Sequence, residues 1–243
     1  MSSIHPRPLR GKLAISWQQY GRSVLGAPLL WFPAVQADGD SGLILAGTHG
    51  DENAAIAALS AALRTLPEAQ RRHHVVLAMN PDGCQLGLRA NANGVDLNRN
   101  FPVANWQSGE TVYRWNSAAD ARDVKLSTGT HPASEPETQA LCALIHQLKP
   151  AWVVSWHEPL ACIDDPEQTD VGAWLAAQTQ LPRVSSVGYA TPGSFGSWCH
   201  DLSLPCVTAE MPAISVDEAT ETYLETMLTL LRWQPSLTPR HVP

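Results

Sequence analysis

The chain has 243 residues, a formal net charge of −7, 44% hydrophobic residues and 16% charged residues. With 16 Gly and 19 Pro it is neither collagen-like nor low-complexity, and it is long enough to bury a sizeable core. The acidic balance lacks the basic footprint of a nucleic-acid binder and does not suit an anionic membrane surface, so neither partner is expected.

In chain order, apolar runs of strand length alternate with helical periodicity, which predicts an α/β fold with a largely parallel sheet. The first run, 42–46 (GLILA), leads into THGDE. A helix follows over 53–66, with Ile56, Leu59, Leu63 and Leu66 on one stripe. The second run, 75–79 (VVLAM), leads into NPDG, with His73 and His74 expected at the surface or sheet edge ahead of it. Residues 102–133 show no clear period; a loop that long is often a site wall or lid. Trp106 and Trp115 within it are candidates to line a cleft. The next helix, 134–148, opens with Ser134 and Glu137 at capping-box spacing and Pro136 in the first turn. The third run, 152–156 (WVVSW), places Trp152 and Trp156 in the core and ends at His157. The fourth, 206–209 (CVTA), ends at Glu210, and a last helix runs from about Ser215 to Trp233. No apolar stretch approaches the roughly 18–20 residues needed to span a bilayer, and the N-terminal segment has no continuous apolar core of a secretory signal. The cytoplasm is therefore the expected compartment. Five cysteines, an odd number with no C-x-x-C pair, read as reduced thiols.

The polar residues after these runs carry the chemistry. His49 and Glu52 follow the first, His157 the third and Glu210 the fourth. Ligand sites in open α/β sheets form beyond the carboxyl ends of the strands, so these four side chains can converge despite their separation in sequence. Two imidazoles and a carboxylate are a catalytic zinc set with a position left for water, whose pKa such a metal can lower to about 7. A second carboxylate nearby can take a proton from that water and deliver it to a leaving amine. The polar segment 89–100 (RANANGVDLNRN) adds Arg99, a planar fork for a carboxylate, with Asn98 beside it. It also holds Arg89, which can stabilise a developing oxyanion.

The motifs THGDE, MNPDG, GVDLNRNFP, SWHEP and TAEMP resemble, in order and spacing, the zinc carboxypeptidase A family, over about residues 20–232. The resemblance implies one zinc-carboxypeptidase-like catalytic domain over residues 1–243, with a mixed, largely parallel central sheet flanked by helices on both faces. It implies one zinc held by His49, Glu52 and His157, with Glu210 as general base and then acid. Arg89 matches the arginine that polarises the scissile carbonyl, although it lies closer to Arg99 than in pancreatic members. Asn98 and Arg99 match the pair that grips a terminal carboxylate, and Asp96 an outer carboxylate that orients the first zinc histidine. Asp51 stands where digestive members carry a substrate-binding arginine, and an acid there suits an ammonium group. The family's mobile tyrosine finds its nearest counterpart in Tyr189, one residue out of register.

Finer features (NPDGCQLGLRANANGVDLNRNFP, RWNSAA, GYATPGSFGSW) are similar to the branch of that family acting on cell-wall peptides. That resemblance implies a small peptide substrate, a murein tripeptide, cleaved between γ-D-glutamate and meso-diaminopimelate. A carboxypeptidase of ordinary peptides would use the same core. An aspartoacylase-like or succinylglutamate-desuccinylase-like deacylase shares the His-x-x-Glu…His set but usually carries an added C-terminal β domain. A murein-peptide-binding protein without turnover would not need Glu210 and Arg89. Monomer and homodimer are both compatible with the sequence.

Overall fold

Why the apolar runs become strands is visible in how they are covered. In the computed structural model, which describes residues 15–35, 37–114 and 123–235, the central strands are buried on both faces. The elements up to the middle of the chain are β1 (Gln18–Arg22), β2 (Pro28–Trp31), β3 (Leu43–Leu45), α1 (Asn53–Thr65), β4 (His74–Val76), α2 (Pro81–Leu86), β5 (Glu110–Arg114) and β6 (Asp123–Ser127). There follow α3 (Pro136–Leu148), β7 (Val153–His157), β8 (Leu160–Asp164), α4 (Asp170–Thr179), β9 (Arg183–Val184), α5 (Phe195–Asp201), β10 (Cys206–Pro212) and α6 (Val216–Leu230).

Six strands form one sheet in the order β4-β3-β7-β10-β8-β9. Its junctions are parallel except β10–β8, which is antiparallel. Side chains alternate along each strand, so Ile44, Val75, Val154 and Val207 enter one core with α1, α4 and α6. Leu43, Leu45, Val76 and Val153 enter the other with α3 and α5. This is the α/β architecture expected, a mixed and largely parallel sheet with helices on both faces.

The connections create the crevice. From β3 the chain passes through α1 to β4 on one side, and β3's other neighbour is β7, reached after α3. Helices α1 and α3 lie on opposite faces of the sheet. The carboxyl ends of β3 and β7 therefore flank a topological switch point, where a ligand can enter between diverging connections.

Three expectations need correction, one of them in part. Residues 102–133 contain a hairpin, β5–β6, whose register runs from Glu110↔Ser127 to Arg114↔Asp123. Its pattern was hidden because apolar residues such as Val112 (54% exposed) face solvent. Trp115 lies outside the described residues, and so do residues 1–14 of the N-terminal segment read for a signal. Ser134 does not cap α3: Glu135 occupies the cap position, and Glu137 is buried, accepting from Val24 N and Asn91 Nδ2. Ser215 does cap α6, accepting from Glu218 N at 3.2 Å.

For His73 and His74 the expectation of surface or sheet edge holds for the edge and fails for the surface. They belong to the edge of the sheet but are 1% and 7% exposed. His73 Nδ1 accepts from Gly42 N and its Nε2–H donates to Trp233 O; His74 Nδ1 accepts from Ala34 N. Burial pushes both imidazoles down to about 4. The unfolded chain takes up these protons near pH 6.5, the folded one only near pH 4. Stability present above about pH 6.5 is therefore lost as pH falls towards 4. Urea unfolding at a series of pH values should show His73 alone contributing a slope of about 1 kcal/mol per pH unit near pH 5. Because burial raises Glu158 to about 7, which gives the opposite slope over the same range, the check is a difference: a His73→Gln variant with the wild-type pH profile would contradict this.

Candidate metal centre and active site

The turn after β3 brings His49 and Glu52 to the switch point. Gly50 allows it: a Cβ there would collide with the backbone of Gly83 and Cys84 at the start of α2. His157 is the last residue of β7. His49 Nδ1, Glu52 and His157 Nδ1 converge, with ligand atoms within 4.8 Å of one another and all three residues buried. The separations are 2.8 Å for His49 Nδ1–Glu52 Oε1, 2.9 Å for His157 Nδ1–Glu52 Oε2 and 3.2 Å for His49 Nδ1–His157 Nδ1.

This donor set fits a zinc ion. Ligand atoms at about 2.0–2.1 Å from a tetrahedral ion lie roughly 3.3 Å apart, close to the nitrogen–nitrogen separation here. The outer nitrogens fit as well. With Nδ1 turned to the site, His49 Nε2–H donates to Asp96 Oδ1 at 3.1 Å, and His157 Nε2–H to Ser155 Oγ at 3.1 Å. Such partners set tautomer and ring orientation in zinc sites. Asp96 also accepts from Asn98 N and so caps the short 3-10 turn Leu97–Arg99.

Electrostatics bind the cluster together. Burial and Arg89 oppose charge on His49, but the carboxylates of Glu52 and Asp96 outweigh them and push it up to about 9. Burial likewise opposes ionisation of Glu52 and Asp96. His49, His157 and Arg89 nevertheless hold Glu52 well below the usual carboxylate range, and His49, Arg89 and Arg99 do so for Asp96.

Glu210 arrives on β10, paired in register with His157 on the adjacent parallel strand. It is 8% exposed, accepts from Leu160 N at 3.4 Å, and burial pushes its carboxyl up despite His157. Asn98 spends its side-chain oxygen on Phe195 N, which leaves its NH₂ for the cavity. Arg99 donates to Asn98 O and has no carboxylate partner among the described residues. Gly193, at φ +73°, lets the backbone pass against the Arg99 carbonyl where a Cβ would sit 2.6 Å from it. Together His49, His157, Arg89, Asn98, Arg99 and Glu210 line a cavity of about 490 Å³.

Two predicted residues stand differently. Arg89 reaches the cavity but donates through Nη1 to Glu52 Oε1 at 2.7 Å. Asp51 is not on the cavity wall; its Oδ1 faces Arg89 Nη1 at 4.0 Å. Tyr189, 56% exposed, lines the cavity, whereas Trp106 packs into the second core with its indole N–H donating to Thr128 O.

Three residues were missed. Tyr113 of β5 lies under the Arg89 guanidinium, 3.9 Å from its ring centroid. Ser155 was legible as the polar residue two before His157 on an apolar strand. Glu158 carries no sequence signal. Its Oε1 accepts from Ala54 N at 2.8 Å and Ala55 N at 3.4 Å, capping α1 from the end of β7. The cap position itself is Glu52, whose carboxylate makes no cap hydrogen bond because it faces the histidines.

Comparison with known proteins gives a consistent result. Residues 14–161 match the family model described as zinc carboxypeptidase. Murein peptide amidase A of Escherichia coli (strain K12) is 67% identical over 235 residues, covering 97% of each chain. Murein peptide amidase A of Vibrio campbellii is 54% identical, covering 97% of this chain and 95% of its own. The crystal structure of murein-tripeptide amidase MpaA from Escherichia coli O157 superposes with a TM-score of 0.92 at 67% identity, over 97% of this chain and 99% of that one.

Replacing Glu158 by Ala should cost about 1 kcal/mol through the lost cap. Thermal unfolding should read a fall in Tm of roughly 2–4 °C. An unchanged Tm would mean that water or another group satisfies the α1 amides equally well.

Proposed function

The chain belongs to the zinc carboxypeptidase family, and from that membership we propose that it hydrolyses the amide between γ-D-glutamate and meso-diaminopimelate in L-Ala-γ-D-Glu-meso-diaminopimelate. At the coarser level it is a peptide hydrolase acting on murein peptides. The finer reading takes the chain as one catalytic domain with one zinc. The observation that carries the chemistry is the register of Glu210 beside His157, which sets a buried carboxylate against the triad of ligands.

His49, Glu52 and His157 would hold the metal. When bound, zinc supplies Lewis acidity to a carbonyl and to water. The chain's own residues do the rest. Arg99 and the Asn98 NH₂ bind the substrate's terminal carboxylate and so place the scissile amide. Glu210 Oε takes a proton from the attacking water and returns it to the departing amine nitrogen as the C–N bond breaks. Its raised carboxyl suits a group that must carry a proton between two steps. Arg89 offers its guanidinium to the carbonyl oxygen as negative charge develops there. Tyr113 positions that guanidinium by stacking beneath it. The five cysteines carry no disulfide among the described residues, which suits a reducing compartment, and we assign the cytoplasm. Among the described residues no helix is long and apolar enough to cross a membrane.

Mass spectrometry of the products should show free diaminopimelate from the wild-type protein and none in the presence of a chelator. Glu210→Gln should lower kcat by about 10²–10⁴ while zinc stays bound. Full activity in that variant would contradict the assignment. Tyr113→Ala should lower kcat/KM about 3- to 30-fold, with Tyr113→Phe retaining most of it. An equal loss in both variants would point to the hydroxyl instead of the ring.

A further inference from the structure

The cavity also extends along β10 beyond Glu210. Cys206, Thr208 and Glu210 alternate along β10 and all line it. Thr208 is paired with Asp164 on β8, and Asp164 also lines the cavity. Two residues along β10 and one strand across put Asp164 roughly 8 Å from Glu210, backbone to backbone. Asp164 Oδ1 is buried and has no hydrogen-bond partner among the described residues.

Its neighbour shows what a structural acid looks like here. The Asp165 carboxylate accepts from Thr169 N and from Arg183 Nε and Nη2, and it is 1% exposed. Asp164 has no such partner. Burial and the adjacent Asp165 push its carboxyl up, and among the described residues no cation acts to bring it down. Glu167, the next acid along this wall, already faces His200 Nδ1 at 3.3 Å. A buried carboxylate oxygen without a donor is costly, and Asp164 also lines the cavity from which a ligand could supply one.

We propose that Asp164 reads the far ammonium group of the substrate's diaminopimelyl side chain. This rests on the murein amidase reading above. With the terminal carboxylate on Asn98 and Arg99 and the scissile nitrogen near Glu210, the side chain points down β10. Extended, it spans roughly 6 Å from its α-carbon to the far nitrogen, the right order to reach Asp164. On this proposal the role expected of Asp51 falls to an acid that lines the cavity.

Two peptides test this: L-Ala-γ-D-Glu-meso-diaminopimelate, and its analogue with 2-aminopimelate, which lacks only the far amino group. Wild-type protein should prefer the diaminopimelyl peptide in kcat/KM by about 10- to 100-fold, and Asp164→Asn should remove most of that preference. Because the readout is a ratio, partial loss of folded protein does not affect it. An unchanged ratio in the variant, or a wild-type protein indifferent to the amino group, would overturn the role of Asp164 and leave the amidase reading standing. A wild-type protein that cleaves neither peptide would overturn the amidase reading and this inference with it.

Discussion

Two imidazoles and a carboxylate, nearly dry and within hydrogen-bond distance of one another, impose the constraint on which the rest of this structure depends. Charge in such a place is expensive unless it is compensated. Around His49, Glu52 and His157 compensation comes from every direction: Asp96 behind one ring, Ser155 behind the other, Arg89 on the carboxylate. A cation at the centre completes the pattern, because it lets both Nδ1 lone pairs and both carboxylate oxygens face inward at once. Without one, two ring nitrogens 3.2 Å apart must share a proton or repel.

The same constraint explains an oddity of α1. Glu52 stands at its N-cap position yet leaves the helix amides alone. A side chain cannot face the histidines and cap the helix behind it. The orphan amides are met instead by Glu158, one residue past His157. The substitution ties the end of β7 to the start of α1, the two segments that carry the three proposed ligands. A local deficit in helix capping thus becomes a long-range tether for the site.

Much of this was legible in the amino-acid order. Strand runs buried on both faces announce themselves as unbroken apolar segments, and the first polar residues beyond them, His49, His157 and Glu210, fall where an open sheet puts its ligands. What escaped detection did so for physical reasons. The β5–β6 hairpin exposes apolar side chains such as Val112 and Val124, so it lacks the alternation that marks a half-buried strand, and Tyr113 went unnoticed with it. Glu158 and Asp51 are neighbours in sequence of proposed ligands, and sequence alone cannot say which way a side chain turns. Asp51 turns to Arg89, while Glu158 turns to a helix more than a hundred residues away. His73 and His74 look like surface residues by type and are buried because Gly42, Trp233 and Ala34 satisfy their nitrogens.

The cavity's polarity follows from the sheet. Arg89 and Arg99 come from the segment between α2 and β5 and bring positive charge to the cavity. Strand β10, its antiparallel neighbour β8 and the loop that follows contribute Glu210, Asp164 and Glu167 to the same cavity. A ligand complementary to such a cavity carries a carboxylate and an ammonium group several ångströms apart. Few C-terminal residues of ordinary peptides do so, since an apolar side chain would leave Asp164 without a partner. An amino acid with a charged group at each end meets both kinds of group. The antiparallel β10–β8 junction matters here. It turns the chain back immediately after His157, so a residue of the outgoing strand, Asp164, comes to lie beside Thr208 at the depth where a side chain would end. With the roles proposed for Glu210 and Asp164, catalytic and selective groups share one face of two paired strands. On this reading, selectivity is set by strand register and not by a flexible loop.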